Sequence, residues 1–117
     1  NIKIYYSKYI PSNIEEFKNK KLLAFAGIGN PNNFFELLKE NNLDIKKTLS
    51  FPDHYHFNKL ELQKINDESL KNNFEIITTE KDYYRIKDYG FSNIKYLKIE
   101  LQIHQKDKLI NQILNYL

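Results

Sequence analysis

The sequence predicts an α/β fold carrying a mostly parallel sheet of about four to five strands. Two features of the chain lead there. Leu22-Leu23-Ala24-Phe25-Ala26 is a continuous apolar run stopped by Gly27, the mark of a strand buried on both faces. From residue 22 onward, strand-like and helix-like segments alternate about four times, and repeated β–α units imply parallel strands joined by right-handed crossovers.

Taken in order, Ile2 to Ile10 alternates imperfectly through Ile2, Ile4 and Tyr6 and stops at Pro11, which predicts a short edge strand or linker. Ser12 followed by Glu15 and Glu16 reads as a cap for a brief helix. After the apolar run, Pro31 suits a first helical turn, and Phe34, Phe35, Leu37 and Leu38 supply one apolar face ending at Asn41-Asn42. Ile45 to Phe51 is the next strand, and Asn58 is placed to cap a helix carrying Leu60, Leu62 and Ile65. Phe74 to Thr78 is a third core strand, and Thr79-Glu80-Lys81-Asp82 opens the helix after it. Ile94 to Leu101 reads as one further strand, and Lys106 to Leu117 as a closing amphipathic helix. The expected architecture is a small Rossmann-like three-layer domain covering residues 1–117, with residues 1–10 as a linker or edge strand.

Composition narrows the function classes. Hydrophobic residues make up 41% of the 117-residue chain, enough for one core. Cysteine is absent, which removes disulfides and thiolate metal sites. The net charge of +3 is too small and too interspersed to argue for nucleic acid. Its densest basic cluster, Lys18, Lys20 and Lys21, reads first as a solvated turn, with an anionic partner such as a phosphate or a membrane surface as the other reading. No apolar run approaches the roughly 20 residues that cross a bilayer. The chain starts at Asn1 and contains no methionine, which suggests a piece of a longer protein.

A parallel sheet places the loops after Ala26, Phe51 and Thr78 on one carboxyl edge, where open α/β folds bind ligands. Gly27-Ile28-Gly29-Asn30-Pro31 lets backbone N–H groups approach an anion at a helix N-terminus, or is simply a tight turn. It lacks the third glycine of the dinucleotide fingerprint and the Gly-Lys-Ser/Thr of a P-loop. In Thr78-Thr79-Glu80-Lys81-Asp82, Thr79 and Asp82 fit a variant capping box, while Lys81 is placed for a phosphate or carboxylate. Phe51-Pro52-Asp53-His54-Tyr55-His56-Phe57 puts two histidines and a carboxylate within four residues. On extended backbone His54 and His56 share a face and Asp53 points the other way. Three readings stay open for it: a metal site completed by Asp82, His104 or another chain, a packed structural histidine, and a histidine acting on protons.

In order and spacing, Leu23-Ala24-Phe25-Ala26-Gly27-Ile28-Gly29-Asn30-Pro31, Phe34-Phe35 with Leu38, Phe51-Pro52-Asp53-His54 and Thr78-Thr79-Glu80-Lys81-Asp82 resemble the C-terminal part of the tetraacyldisaccharide 4'-kinases, or lipid A 4'-kinases. The resemblance spans roughly residues 22 to 87. It implies one lobe of a two-lobe enzyme that transfers the γ-phosphate of ATP to the 4'-hydroxyl of tetraacyldisaccharide 1-phosphate, at the cytoplasmic face of the Gram-negative inner membrane. The partner is then an N-terminal P-loop lobe holding ATP and Mg²⁺, with no cofactor expected on this lobe alone and no nucleic acid partner. The family's Asp-His motif falls on Asp53-His54, and its histidine pairs with an aspartate of the N-terminal lobe that serves as catalytic base. The role passes to His54, with His56 as the alternative because Tyr55 stands where the family has its second histidine, and Asp53 of the same motif joins it as a catalytic candidate. Gly27, Gly29, Asn30, Thr79, Lys81 and Asp82 become the nucleotide- or phosphate-binding candidates, with no metal ligand expected. Lacking a P-loop, the chain alone should not turn over ATP. The alternative is an independent Rossmann-like module that binds a nucleotide or phosphate.

Overall fold

The computed structural model describes residues 6–103, with side chains described over 11–99. The chain forms two compact units, of which Asn13–Lys98 is the larger. In the smaller, β1 (Tyr6–Pro11) pairs antiparallel with a strand at Ile99–Ile103, Tyr9 standing opposite Leu101 and Pro11 opposite Ile99. The single strand expected over Ile94 to Leu101 is therefore two, broken at Lys98. Alternation along a segment reports which faces are wet, not which neighbour supplies the hydrogen bonds, so the sequence could not show that the halves belong to different sheets. His104 and the helix expected over Lys106 to Leu117 lie outside the described residues.

The larger unit opens with a 3₁₀ turn at Ile14–Phe17 that buries Phe17. Asn13, not Ser12, occupies the position before this turn, and its side chain does not cap it. The Asn13 amide instead donates to the Tyr96 carbonyl at 2.9 Å and accepts from the Lys98 N–H at 2.8 Å, pinning the chain to the end of a strand more than 80 residues on. A four-residue turn offers few local hydrogen bonds, so a tertiary partner wins.

Four strands follow: β2 (Lys21–Ala26), β3 (Asp44–Ser50), β4 (Glu75–Thr79) and β5 (Ile94–Leu97). All neighbours pair in parallel, in the order β3-β2-β4-β5. This α/β sheet is the predicted one. Helices α1 (Pro31–Glu40), α2 (Lys59–Asn72) and α3 (Glu80–Ile86) make the crossovers. β2 is buried throughout after Lys21, and its alternation splits the core: Leu22, Ala24 and Ala26 pack with Phe34, Phe35 and Leu38 of α1. Leu23 and Phe25 pack on the other face with Leu62 and Ile65 of α2 and Ile86 of α3. Three layers result. Asn58 and Glu61 form a full capping box at the start of α2, as Asn58 foretold. Leu60, counted with that helix's apolar residues, is 74% exposed, because α2 turns only the Leu62–Ile65 stripe inward.

The strand order fixes where a site belongs. The chain leaves β2 towards β3 on one side and leaves β4 towards β5 on the other. The loops after these two adjacent strands therefore diverge, opening a crevice at the carboxyl edge between them. Away from that edge, Lys18 pairs with Glu15 at 3.1 Å and Lys20 with Glu75 at 3.7 Å, all with solvent-accessible side chains. No helix among the described residues is long and apolar enough to cross a membrane.

Candidate functional site

At the crevice, the buried Asp82 carboxylate joins the loops after β2 and β4. Its Oδ2 accepts from the Gly27 N–H at 3.0 Å and from the Thr79 hydroxyl at 2.7 Å. The Thr79 oxygen in turn accepts from the Asp82 N–H at 3.0 Å, which caps α3. The sequence anticipated the cap; the far contact to Gly27 comes from the fold. Asp82 is fully buried, and its Oδ1 makes no hydrogen bond but lies 3.6 Å from Arg85 Nη1. Below, the Thr78 hydroxyl donates to the Phe25 carbonyl at 2.7 Å, tying β4 to β2 just beneath the rim.

Close approach is possible because residue 27 has no side chain. A Cβ at Gly27 would stand 3.3 Å from Asp82 Oδ1 and 3.4 Å from both the Phe57 ring and the Pro52 carbonyl. Gly29 differs: a Cβ there would make only an ordinary contact with the Asp53 carboxylate at 3.5 Å. Asn30 spends its side chain on α1, accepting from the Asn33 N–H at 3.4 Å. Lys81 is exposed on the first turn of α3.

The histidine loop is not extended. The Tyr55 N–H reaches back to the Pro52 carbonyl at 3.1 Å, closing a turn in which His54 has φ of 59°. Left-handed backbone is unusual for a residue with a side chain, though histidine tolerates it better than most. This corrects the shared-face arrangement of His54 and His56, because alternation holds only on extended backbone. Phe51, Tyr55 and Phe57 turn inward instead. Phe57 packs edge-on to Phe25 with ring centroids 5.4 Å apart, and Phe51 lies 4.9 Å from Phe57 and 5.0 Å from Tyr55. The Tyr55 hydroxyl donates to the Glu61 carboxylate on α2, which holds the phenol's pKa above its ordinary value. Tyr89 donates to the Phe57 carbonyl at 2.9 Å. With the aromatic side anchored, Asp53, His54 and His56 face solvent.

Arg85, which sequence reasoning missed, links all three loops. Its Nη1 donates to the Gly27 carbonyl at 3.1 Å, and its Nη2 contacts His54 Nδ1 at 2.9 Å. His54 Nε2 lies 3.6 Å from the Asp53 carboxylate. A signal was present: Asp82 and Arg85 are three apart on one helix, so they share a face. Among the described residues, no group of three His, Asp or Glu side chains is placed to hold a metal ion. The loops bearing His54, Gly27 and Lys81 thus stand on one rim, with His54 71% exposed at its side chain.

The chain is similar to known proteins in sequence and in fold. The family model of LpxK, tetraacyldisaccharide-1-P 4'-kinase, matches residues 4–117. The tetraacyldisaccharide 4'-kinase of Pelagibacter ubique (strain HTCC1062) is 44% identical over 115 residues, covering 97% of this chain and 37% of its own length. That of Rickettsia akari (strain Hartford) is 37% identical over 111 residues, covering 95% of this chain and 34% of its own. Among solved structures, an "apo" form of LpxK from Aquifex aeolicus in complex with ATP is similar, with a TM-score of 0.56 and 25% identity over 94% of this chain and 33% of that one. The chain spans about a third of the length of these relatives. It belongs to the tetraacyldisaccharide 4'-kinase family.

Proposed function

We propose that this chain is the C-terminal lobe of an ATP-dependent kinase that phosphorylates the 4'-hydroxyl of tetraacyldisaccharide 1-phosphate, with His54 presented to the cleft. The observation that carries this reading is the rim itself: three loops locked together by Asp82 and Arg85, leaving His54 exposed at the topological switch point. Family membership supplies the reaction. The ATP in the similar Aquifex aeolicus structure supports nucleotide binding by the whole enzyme.

The rim's own chemistry limits what this lobe does. The Gly27 N–H, the Thr79 hydroxyl and the Asp82 Oδ2 are spent on one another. By the family resemblance, ATP and Mg²⁺ are assigned to an N-terminal P-loop lobe, where bound metal would neutralise phosphate charge. This chain's part is to close the cleft, exclude water and hold an imidazole against an aspartate of that lobe, which takes the sugar hydroxyl's proton. Work at the cytoplasmic face of the inner membrane, through membrane contacts of the whole enzyme, belongs to the same proposal.

The test is turnover by the whole enzyme with ATP and tetraacyldisaccharide 1-phosphate. His54→Ala is expected to lower kcat by roughly 10²-fold or more, the scale of lost acid–base assistance. Undiminished turnover would remove His54 from the mechanism. The chain by itself is expected to hydrolyse no ATP above buffer, and clear hydrolysis would contradict its assignment as a lobe.

A further inference from the structure

We infer that Arg85 is a positioning residue that fixes the tautomer and direction of His54. The reasoning starts from the inventory of donors. A guanidinium is always charged and has no acceptor, so the 2.9 Å contact between Arg85 Nη2 and His54 Nδ1 is a hydrogen bond only if Nδ1 carries a lone pair. Nδ1 is then unprotonated, and a neutral imidazole in that state has its proton on Nε2.

Arg85 is itself held. Its Nη1 donates to the Gly27 carbonyl at 3.1 Å and stands 3.6 Å from the buried Asp82 Oδ1. The guanidinium side chain is only 25% exposed, against 71% for the imidazole it grips. The grip therefore transmits order from the buried clasp to an exposed ring that sits in a turn at positive φ. The charged groups facing the ring are Arg85 at Nδ1 and Asp53 at Nε2, with Asp82 behind the guanidinium.

One chemical consequence follows. With the Nδ1 lone pair given to Arg85 and the proton on Nε2, His54 has no lone pair for a substrate proton. It offers an N–H. Such a ring orients a carboxylate by donating to it, and the carboxylate of the facing lobe accepts the hydroxyl proton. His54 then works as a donor, and the base is the aspartate. This inference rests on the role proposed for His54.

The experiment uses the whole enzyme labelled with ¹⁵N-histidine, with His54→Ala to assign the ring signals. The wild-type spectrum is expected to show His54 neutral, with Nδ1 unprotonated and Nε2 protonated. Arg85→Met is expected to mix the tautomers and to lower kcat by between about 10- and 100-fold, the scale of losing the outer partner that orients a metal-bound histidine. KM for both substrates should change little. Arg85→Lys keeps a cation beside Asp82 but lacks the planar fork that spans Gly27 and His54, so its kcat should fall between the two. A proton on Nδ1 in the wild type would overturn the inference even if Arg85→Met failed to fold, because that spectrum needs no variant at Arg85. Full kcat in Arg85→Met, with His54→Ala inactive, would overturn the inference alone. Full activity in His54→Ala would overturn both it and the proposed role of His54.

Discussion

Replacing Asp82 by asparagine and by alanine separates the hydrogen bonds of the clasp from its charge. Both donors, the Gly27 N–H and the Thr79 hydroxyl, converge on the same oxygen, Oδ2. An asparagine can place its carbonyl oxygen there and keep both. Its amide nitrogen then takes the place of Oδ1, which makes no hydrogen bond, and faces Arg85 Nη1 where a carboxylate oxygen stood at 3.6 Å. What is lost is charge assistance and an unfavourable change opposite a cation, about 1–2 kcal/mol. Alanine removes the acceptor itself. It strands a buried N–H, frees a hydroxyl that the α3 cap still uses as acceptor, and leaves Arg85 without its carboxylate. Breaking a buried charged partnership of this kind costs about 3–5 kcal/mol. With a urea m value of about 1.5 kcal/mol/M, the midpoint should fall by roughly 2–3 M for Asp82→Ala and by roughly 1 M for Asp82→Asn. Urea denaturation followed by far-ultraviolet circular dichroism measures both, since the chain has no tryptophan. Hydrogen exchange adds a local check, because the Gly27 amide should lose protection in the alanine variant and keep most of it in the asparagine one. Equal losses in the two variants would show that charge, not hydrogen bonding, holds the loops together. Losses below about 0.5 kcal/mol in both, the level of an ordinary surface change, would remove the clasp as the organiser of the rim.

Two further outcomes are expected. Gly27→Ala should destabilise by about 1–3 kcal/mol, as overpacking does, because its Cβ would press at once on Asp82, the Phe57 ring and the Pro52 carbonyl; an unchanged urea midpoint would mean the crevice has room to spare. Tyr55→Phe should lower the Tm, and the deficit should depend on pH in a set direction. The Glu61 carboxylate raises the Tyr55 pKa in the folded chain above the ordinary phenol value of 10.0, so the stability it lends is complete below that pH and is lost as pH rises through the raised value. Tm measured from pH 7 upward should therefore show the wild type and the variant converging only at alkaline pH, and a deficit that persists undiminished there would contradict the reading.

The ends of the strands that carry the rim were legible in the sequence. The apolar run ending at Gly27, the Pro52 break and the Thr79–Asp82 cap each announce where a strand ends, and local chemistry dictates them. The histidine loop was harder. Its aromatics and its polar residues alternate as on a strand, but Phe51, Tyr55 and Phe57 gain more by packing around Phe25 than an extended backbone would allow. The turn at Pro52–Tyr55 and the left-handed His54 follow from that packing. Asp82 shows the same division. Its sequence neighbours explain why it stands at the start of a helix, while its bond to the Gly27 N–H spans 55 residues.

By itself, then, the sequence determined the α/β class, the order of strands and helices, the edge on which the three loops emerge, and the motifs that match the kinase family. These depend on hydrophobic period, caps and breakers, which act over a few residues. Only the tertiary structure decided that residues 94–103 serve two different sheets, that Asp82 is a buried clasp, and that Arg85 reaches both Gly27 and His54. The physical reason is distance along the chain. A hydrogen bond across 31 or 58 residues leaves no period in the sequence, and it exists only once a parallel sheet has brought the ends of its strands to one rim.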